Sequence, residues 1–214
     1  MATRLRLIHA WPAGCAGLGL GAALVFVHDA LSKPAAAWAP RLEWWAAGAR
    51  HEPWRAFTAA FVHYDLQHLA ANLAGCAVVA LFGWAGRLPV RAALAAALAW
   101  PLTHALLLWA PGLTRYGGLS GVLHAAVAVA AVALMLQGGR RQRGVGAAVW
   151  AGLLLKVLLE APWTGAVQIL PGWNIPIAVA AHAAGLVSGT LVMALAAALA
   201  AGSTRPASPA APRQ

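Results

Sequence analysis

The sequence predicts an all-α polytopic membrane protein, a bundle of six transmembrane helices with a long first loop. Of its 214 residues, 62% are hydrophobic and only 9% are charged, which is far more apolar than an ordinary soluble domain. A helix needs about 20 predominantly apolar residues to cross the hydrocarbon core. Six stretches meet that length, at about residues 10–31, 67–87, 90–110, 118–137, 145–161 and 175–201.

These stretches fill most of the chain and predict a single membrane domain over residues 1–201. The first stretch begins after Arg4 and Arg6, a pattern that also resembles a signal peptide. We predict an uncleaved first helix, because the apolar run is long and five more follow it. Residues 202–214 are rich in Pro, Ser and Ala and are predicted to form a disordered cytoplasmic tail.

Two connecting segments have distinctive compositions. The longest, at about residues 32–66, contains four tryptophans, and tryptophan prefers the membrane interface because its ring is apolar and its N–H needs a partner. We expect this loop to lie partly in the outer leaflet. The segment PGLTRYGG at residues 111–118 predicts irregular backbone before a short fourth helix. Cys15 and Cys76 fall inside predicted helices and are interpreted as small buried hydrophobic residues.

The positive charges predict the orientation of the chain. If the N-terminus is cytoplasmic, nine Lys and Arg residues fall on the cytoplasmic side and five on the other side, which favours cytoplasmic termini at both ends. The net charge of +10 is then a topology signal, and nucleic-acid binding is not needed to explain it. The nine are Arg4, Arg6, Arg87, Arg91, Arg140, Arg141, Arg143, Arg205 and Arg213, and the five are Lys33, Arg41, Arg50, Arg55 and Arg115.

Polar side chains at membrane depth are costly, so those that remain are candidates for function. Each candidate alone is weak evidence, since a single buried histidine is more often a packing residue. Together they supply the nucleophile, general base and hydrogen-bond donors that acyl transfer requires. They form three groups: His63, His68 and Asn72; Ser120 and His124; and His182, Gly185 and Gly189.

These groups resemble, in the same order along the chain, the motifs of the rhomboid intramembrane serine proteases. The resemblance covers about residues 10–200 and includes the number of helices, so it implies a rhomboid-like bundle. The motifs are Trp-Arg followed by His-x4-His-x3-Asn (Trp54, Arg55, His63, His68 and Asn72), Gly-x-Ser-Gly (residues 118–121) and Ala-His-x2-Gly-x3-Gly (residues 181–189).

Carried over to this sequence, the resemblance implies that Ser120 is the nucleophile and His182 its general base, a pair with no acidic third member. Asn72, His68 and the backbone N–H of Ser120 would form the oxyanion hole. No metal or cofactor is implied. Gly185 and Gly189 would let the sixth helix approach the fourth closely. The supporting residues are Gly118, Gly121, His124, Gly185 and Gly189.

His124 departs from the usual family pattern, in which a tyrosine at this position stacks on the catalytic histidine. An imidazole can stack, hydrogen-bond or titrate. The string GLSGVLH in a compact six-helix chain looks like the rhombosortase branch, whose members are implied to cleave the C-terminal Gly-Gly anchor tails of exported bacterial proteins. Lys156 and Glu160 also fit this branch and lie four residues apart, so they are interpreted either as a structural ion pair or as a substrate contact.

The resemblance therefore predicts an intramembrane serine endopeptidase of the bacterial inner membrane, with its active site open to the periplasmic side. Its expected partners are membrane-anchored protein substrates and the lipid bilayer, and the sequence predicts no oligomeric state. Three alternatives stay open: a generic rhomboid protease that cuts single-span substrates, a non-catalytic rhomboid-like binding protein, and a transporter or channel that uses the buried histidines. His63 either lines the cavity or supports the second helix.

Overall fold

The computed structural model describes residues 9–203, which form six long helices, a structured first loop and shorter connections. All six helices are long and apolar enough to cross a membrane. The predicted all-α bundle of six membrane helices is therefore confirmed. The helices are α1 (Ala10–Leu31), α2 (Leu66–Ala85), α3 (Val90–Leu106), α4 (Ser120–Gln137), α5 (Arg140–Leu159) and α6 (Val179–Ser203).

The C-terminal boundary of the membrane domain differs from the prediction. Helix α6 extends to Ser203, so Gly202, which the composition placed in a disordered tail, is helical. Residues 204–214 of the predicted tail lie outside the described residues, as do residues 1–8.

Helix α5 begins at Arg140 rather than at the predicted residue 145. Hydropathy excludes the arginines of this first turn, yet they occur in regular helix, where their side chains are exposed. The Gly139 N–H donates to Gln142 Oε1 at 3.1 Å, and Arg143 Nε donates to the Gly138 carbonyl at 2.9 Å. Local hydrogen bonds therefore begin this helix in a segment where the apolar pattern predicts none.

Two other helices begin later than predicted. Helix α4 begins at Ser120 rather than 118, because Gly118 adopts φ +136°, a conformation that L side chains rarely adopt. Helix α6 begins at Val179 rather than 175. Gln168 and Ile177 exchange two backbone hydrogen bonds of 2.9 and 2.8 Å, which hold residue 177 in extended backbone.

Helix α4 is the central helix of the bundle. Two thirds of its residues (67%) are buried, against 17 to 33% of the apolar 18-residue stretch in each of the other five helices. It packs against α6, α5, α3 and α2, and alanine accounts for many of its contacting residues. Small side chains let neighbouring helices approach closely. Helix α4 is thus shielded by protein, while the other helices expose apolar side chains where lipid would lie.

Glycines bring α4 and α6 into contact through their backbones. A Cβ atom added at Gly185 would lie 2.1 Å from the Gly121 carbonyl oxygen, and one added at Gly189 would lie 2.2 Å from the Ala125 carbonyl oxygen. No side chain fits at either position unless the helices separate. The predicted close approach of the sixth helix to the fourth is present in the structure.

We expect Gly189→Ala to destabilise the bundle, because the new methyl group would overlap backbone atoms that cannot rotate away. Overpacking of this kind costs about 1–3 kcal/mol or more. Thermal unfolding in detergent should show a lower midpoint for this variant. Gly152→Ala is the matched control: Gly152 lies on α5 with nothing within 4 Å of an added Cβ, so its midpoint should not fall. Equal midpoints for the two variants would contradict the proposed contact.

The first loop packs on the end of the bundle at which α4 begins. Arg55 is buried, and its Nη1 donates to the carbonyls of Pro40 and Glu43 at 3.1 and 2.8 Å. These hydrogen bonds give Arg55 a structural role within the loop. Strand β1 (Trp44–Trp45) pairs antiparallel with β2 (Arg115–Tyr116). The loop therefore holds the segment that leads into Ser120. Its other short elements are Pro34–Ala36, Ala39–Leu42, Ala46–Gly48, Arg55–Thr58 and Ala59–Phe61, and a last turn at Leu107–Trp109 extends α3.

Candidate active site

The residues singled out by the sequence converge at one end of the bundle. Ser120 is the first residue of α4, His182 lies in the first turn of α6, and His68 and Asn72 lie in the first two turns of α2. Helix directions alternate through the bundle, so α2, α4 and α6 begin at the end where α5 finishes. Glu160, the residue after α5, lies at that end as well.

Ser120 and His182 meet within hydrogen-bond distance. Ser120 Oγ is 3.0 Å from His182 Nε2, although 62 residues separate them in the sequence. His182 is 5% exposed, so its ring is held by protein on nearly every side. The close contact between α4 and α6 at the neighbouring glycines accounts for this proximity.

A carboxylate lies on the other side of the His182 ring, where the resemblance implied no acidic residue. The pair was expected to have no acidic third member, but Glu160 Oε2 is 2.8 Å from His182 Nδ1. A carboxylate oxygen accepts, so Nδ1 carries the hydrogen and Nε2 is free to accept from the Ser120 hydroxyl. The structure thus contains a continuous chain of hydrogen bonds from Ser120 through His182 to Glu160.

Lys156 holds the second oxygen of the same carboxylate. Its Nζ donates to Glu160 Oε1 at 2.5 Å, so the expected ion pair between these two residues is present. Burial alone would raise the pKa of the Glu160 carboxyl, but the hydrogen bond from His182 and the Lys156 ammonium lower this pKa to about 2. Glu160 is therefore ionised throughout the neutral range.

His124 stacks on His182, as the tyrosine of the usual pattern would. The ring centroids are 4.1 Å apart and the planes differ by 9°. His124 Nδ1 lies 2.6 Å from the Ser120 carbonyl oxygen, and it must donate because a carbonyl only accepts. Its Nε2 is buried and finds no hydrogen-bond partner among the described residues. His124 thus supports the His182 ring with its face and the backbone of Ser120 with its edge.

Asn72 is oriented by His63, which resolves the two interpretations of His63 in favour of support. His63 Nδ1 donates to the Phe61 carbonyl at 3.3 Å, so its Nε2 accepts from Asn72 Nδ2 at 3.0 Å. Burial and the neighbouring His68 lower the pKa of His63 to about 4, which keeps the ring neutral and able to accept. One amide hydrogen of Asn72 is used in this way, which leaves the second for another acceptor, and Asn72 lines the cavity.

His68 also lines the cavity, beside the turn that precedes α4. A Cβ atom added at Gly118 would lie 2.7 Å from the His68 ring, so glycine is needed there for space as well as for its positive φ. His68 Nδ1 has no hydrogen-bond partner in the described part of the chain. The backbone N–H of Ser120 is in the first turn of α4, where helical N–H groups have no partner within the helix. The expected oxyanion donors thus surround one space.

A cavity of about 860 Å³ opens beside Ser120. Ser120, His182 and Asn72 line its polar end. From there it extends between α2 and α5, which make almost no direct contact within residues 9–203. The walls of this part are apolar and include Val78, Val79, Leu123, Val127 and Leu153.

Comparison with protein-family models identifies the family of this chain. The Rhomboid domain family model matches residues 50–199, a stretch that contains every residue of the site described above. The chain belongs to the rhomboid family. Members of this family are serine intramembrane proteases, and the six apolar helices agree with a multi-pass protein of that class. No curated protein matches the chain.

One group of side chains in this rhomboid, within the described ranges, brings metal-ligating atoms together. Ligand atoms of His124, Glu160 and His182 all lie within 4.8 Å of one another. The two imidazoles are stacked in nearly parallel planes, however. The lone pair of a ring nitrogen lies in the plane of its ring, and one ion cannot lie in two parallel planes at once. The geometry fits a hydrogen-bonded relay better than a metal site.

Tyr116 is a site residue that the sequence analysis missed. Its hydroxyl donates to the Gly118 carbonyl at 2.8 Å and accepts from the Gly121 N–H at 3.3 Å. Burial raises the pKa of Tyr116 to about 12, so the hydroxyl stays neutral and can do both. Tyr116 braces the turn before Ser120. A tyrosine in a two-residue strand gives no periodic signal that would have identified it.

Proposed function

We propose that this rhomboid is an intramembrane serine endopeptidase in which Ser120 attacks the scissile carbonyl of a membrane-anchored protein and His182 acts as the general base. The observation that carries the proposal is the 3.0 Å distance between Ser120 Oγ and His182 Nε2 at the polar end of a large cavity. A non-catalytic relative would have no need for a nucleophile and base in hydrogen-bond contact.

The reaction follows from the positions of these atoms. His182 Nε2 takes the Ser120 hydroxyl proton as Oγ bonds to the carbonyl carbon. The oxyanion that forms accepts hydrogen bonds from Asn72, His68 and the Ser120 N–H. Collapse of this intermediate breaks the C–N bond, and the amine leaves with the proton from His182. Water then enters from the polar end and hydrolyses the acyl-enzyme by the same steps.

The apolar part of the cavity supports a route for the substrate. A membrane anchor is itself apolar, and the space between α2 and α5 is lined by apolar side chains and continuous with Ser120. We infer that an anchor moves in from the lipid through this space and unwinds locally, so that its scissile bond becomes extended. Small residues at the scissile bond would ease both steps, because glycine weakens helix and leaves room.

The proposed substrates are the C-terminal Gly-Gly anchor tails of exported bacterial proteins, on the basis of the likeness of the GLSGVLH string to the rhombosortase branch. Such tails combine small residues with an apolar anchor, which suits the cavity. The proposal includes a location in the bacterial inner membrane with both termini in the cytoplasm. The catalytic end of the bundle, where α1 ends and α6 begins, would then face the periplasm.

A comparison of exported proteins in cells that carry the native chain or its Ser120→Ala variant tests this function. With the native chain, mass spectrometry should find Gly-Gly proteins that have lost their anchor tails, and with Ser120→Ala the tails should remain. Ser32→Ala, at the end of α1 and away from the cavity, is the control and should behave as native.

The outcomes separate the levels of the proposal. Equal processing with native chain and Ser120→Ala would overturn the protease assignment. Cleavage that requires Ser120 but affects only single-span proteins of other kinds would retain the protease and overturn the Gly-Gly assignment.

A further inference from the structure

Glu160 lies where a third catalytic group would lie in a soluble serine hydrolase. The site contains an unbroken series of contacts: Ser120 Oγ to His182 Nε2 at 3.0 Å, His182 Nδ1 to Glu160 Oε2 at 2.8 Å, and Glu160 Oε1 to Lys156 Nζ at 2.5 Å. Three elements supply these four side chains, so the arrangement does not follow from spacing along one helix.

We propose that Glu160 is a positioning residue that completes a Ser120–His182–Glu160 relay, with Lys156 holding the carboxylate in place. This inference rests on the proposed serine endopeptidase function and assigns a role to a residue pair that otherwise reads as an ion pair within one helix.

The hydrogen positions in the relay support a role for the carboxylate in orienting the base. His182 Nδ1 has two polar neighbours, Glu160 Oε2 at 2.8 Å and Lys156 Nζ at 3.4 Å. An ammonium only donates, so the carboxylate is the neighbour that can accept the Nδ1 hydrogen. That bond selects the tautomer whose Nε2 lone pair points at the Ser120 hydroxyl. Without it, the ring would be free to place its hydrogen on the wrong nitrogen.

The charges around His182 give Glu160 a second role. When His182 takes the serine proton it becomes an imidazolium, and the Lys156 ammonium lies 3.4 Å from its Nδ1. Glu160 contacts both cations, one with each carboxylate oxygen, and offsets the repulsion between them. Removal of the carboxylate alone would leave Lys156 opposing the charge that develops on His182. Removal of Lys156 as well should therefore restore part of the lost rate.

The backbone at Glu160 is fixed in a way that suits a positioning role. Gln168 Nε2 donates to the Glu160 carbonyl at 2.5 Å. The next residue, Ala161, adopts φ +44°, a conformation that ends α5 abruptly. Glu160 is thus fixed directly at the end of α5 rather than part of a free loop.

Three variants of the full-length chain in detergent micelles test the relay: Glu160→Gln, Glu160→Asp and Glu160→Gln/Lys156→Met. Readouts are kcat and KM on a cleaved substrate, the rate at which a fluorophosphonate labels Ser120, and the thermal midpoint. Glu160→Gln should lower kcat by about 10²–10⁴-fold with little change in KM. Glu160→Asp should retain more activity than Glu160→Gln, and the double variant should regain about tenfold over Glu160→Gln.

The pH profile adds a readout that a purely structural role would not move. The titratable and charged groups that face His182 are His124 on α4, Lys156 and Glu160 at the end of α5, and His68 on α2. Glu160→Gln removes the only anion of this set, so the acid limb of the kcat profile should shift. In the double variant the shift should shrink, because the opposing cation is gone.

The results distinguish this inference from the proposed function. A native chain that neither cleaves nor labels would overturn the endopeptidase, whatever Glu160 does. A native chain that is active, together with a Glu160→Gln variant of native rate and pH profile, would overturn the relay alone. A Glu160→Gln loss that comes with a lower thermal midpoint, and that neither Glu160→Asp nor the double variant relieves, would show a structural ion pair and would also overturn it.

Discussion

His182→Ala is expected to abolish labelling of Ser120 by a fluorophosphonate and to lower peptide cleavage by about 10⁴-fold or more, as in soluble serine proteases that lose their base. Among residues 9–203, His182 is the base within hydrogen-bond distance of Ser120 Oγ, so without the imidazole no described group can take this proton at neutral pH. The alcohol is then as unreactive as any serine in water. Labelling is measured on purified protein in detergent, and the labelled peptide is identified by mass spectrometry.

Two variants make the result specific. Ser120→Ala should lose the label completely, because the probe bonds to Oγ itself. His51→Ala is the matched histidine control: His51 is exposed in the first loop, and its loss should leave labelling at the native rate. Native labelling of the His182→Ala variant, with the membrane insertion of all three variants unchanged, would remove His182 from the mechanism.

The fold was predictable because one physical requirement dominates it. A helix in lipid needs about 20 apolar residues, and that length signal located α1 at the residues the structure has. The length signal fails where a helix continues beyond its apolar residues. Arg140 begins α5 although it is charged, and Gly202 continues α6 although the composition changes there, since backbone hydrogen bonds rather than hydropathy decide where a helix ends.

The candidate site was predictable only where a reactive residue itself belongs to a recognisable motif. Ser120 and His182 stand in recognisable strings, and the structure brings their side chains together. Glu160 was already explained by its ion pair with Lys156, four residues earlier in the sequence. Its contact with His182, 22 residues further along the chain, joins the end of α5 to α6. Residue spacing within one helix does not predict such a contact. The distance between α5 and α6 has to be known first.

The same reasoning applies to Asn72 and His63. Their spacing of nine residues crosses from the first loop into α2, so periodicity does not pair them. The structure shows that the amide of Asn72, the proposed oxyanion donor, is held by the His63 imidazole. Preorganised donors of this kind stabilise a transition state more than mobile ones, because no reorganisation is needed during the reaction.

Asn72→Ala is therefore expected to lower kcat by about 10²–10³-fold with little change in KM. The amide of Asn72 would donate to the oxyanion, which exists only once Ser120 has attacked, so its loss should raise the barrier and leave substrate binding nearly intact. Steady-state kinetics on the purified chain, with the thermal midpoint as a check on folding, measure both parameters.

His63→Ala provides the graded comparison, since it keeps the Asn72 donor and removes only the acceptor that aims it. We expect a smaller loss in kcat, about tenfold. If Asn72→Ala instead raised KM at constant kcat, the amide would be binding the ground-state substrate. If His63→Ala cost as much as Asn72→Ala, the amide would act on the oxyanion only while His63 holds it in place. The ratio between these two variants thus measures how much of the Asn72 effect depends on its orientation by His63.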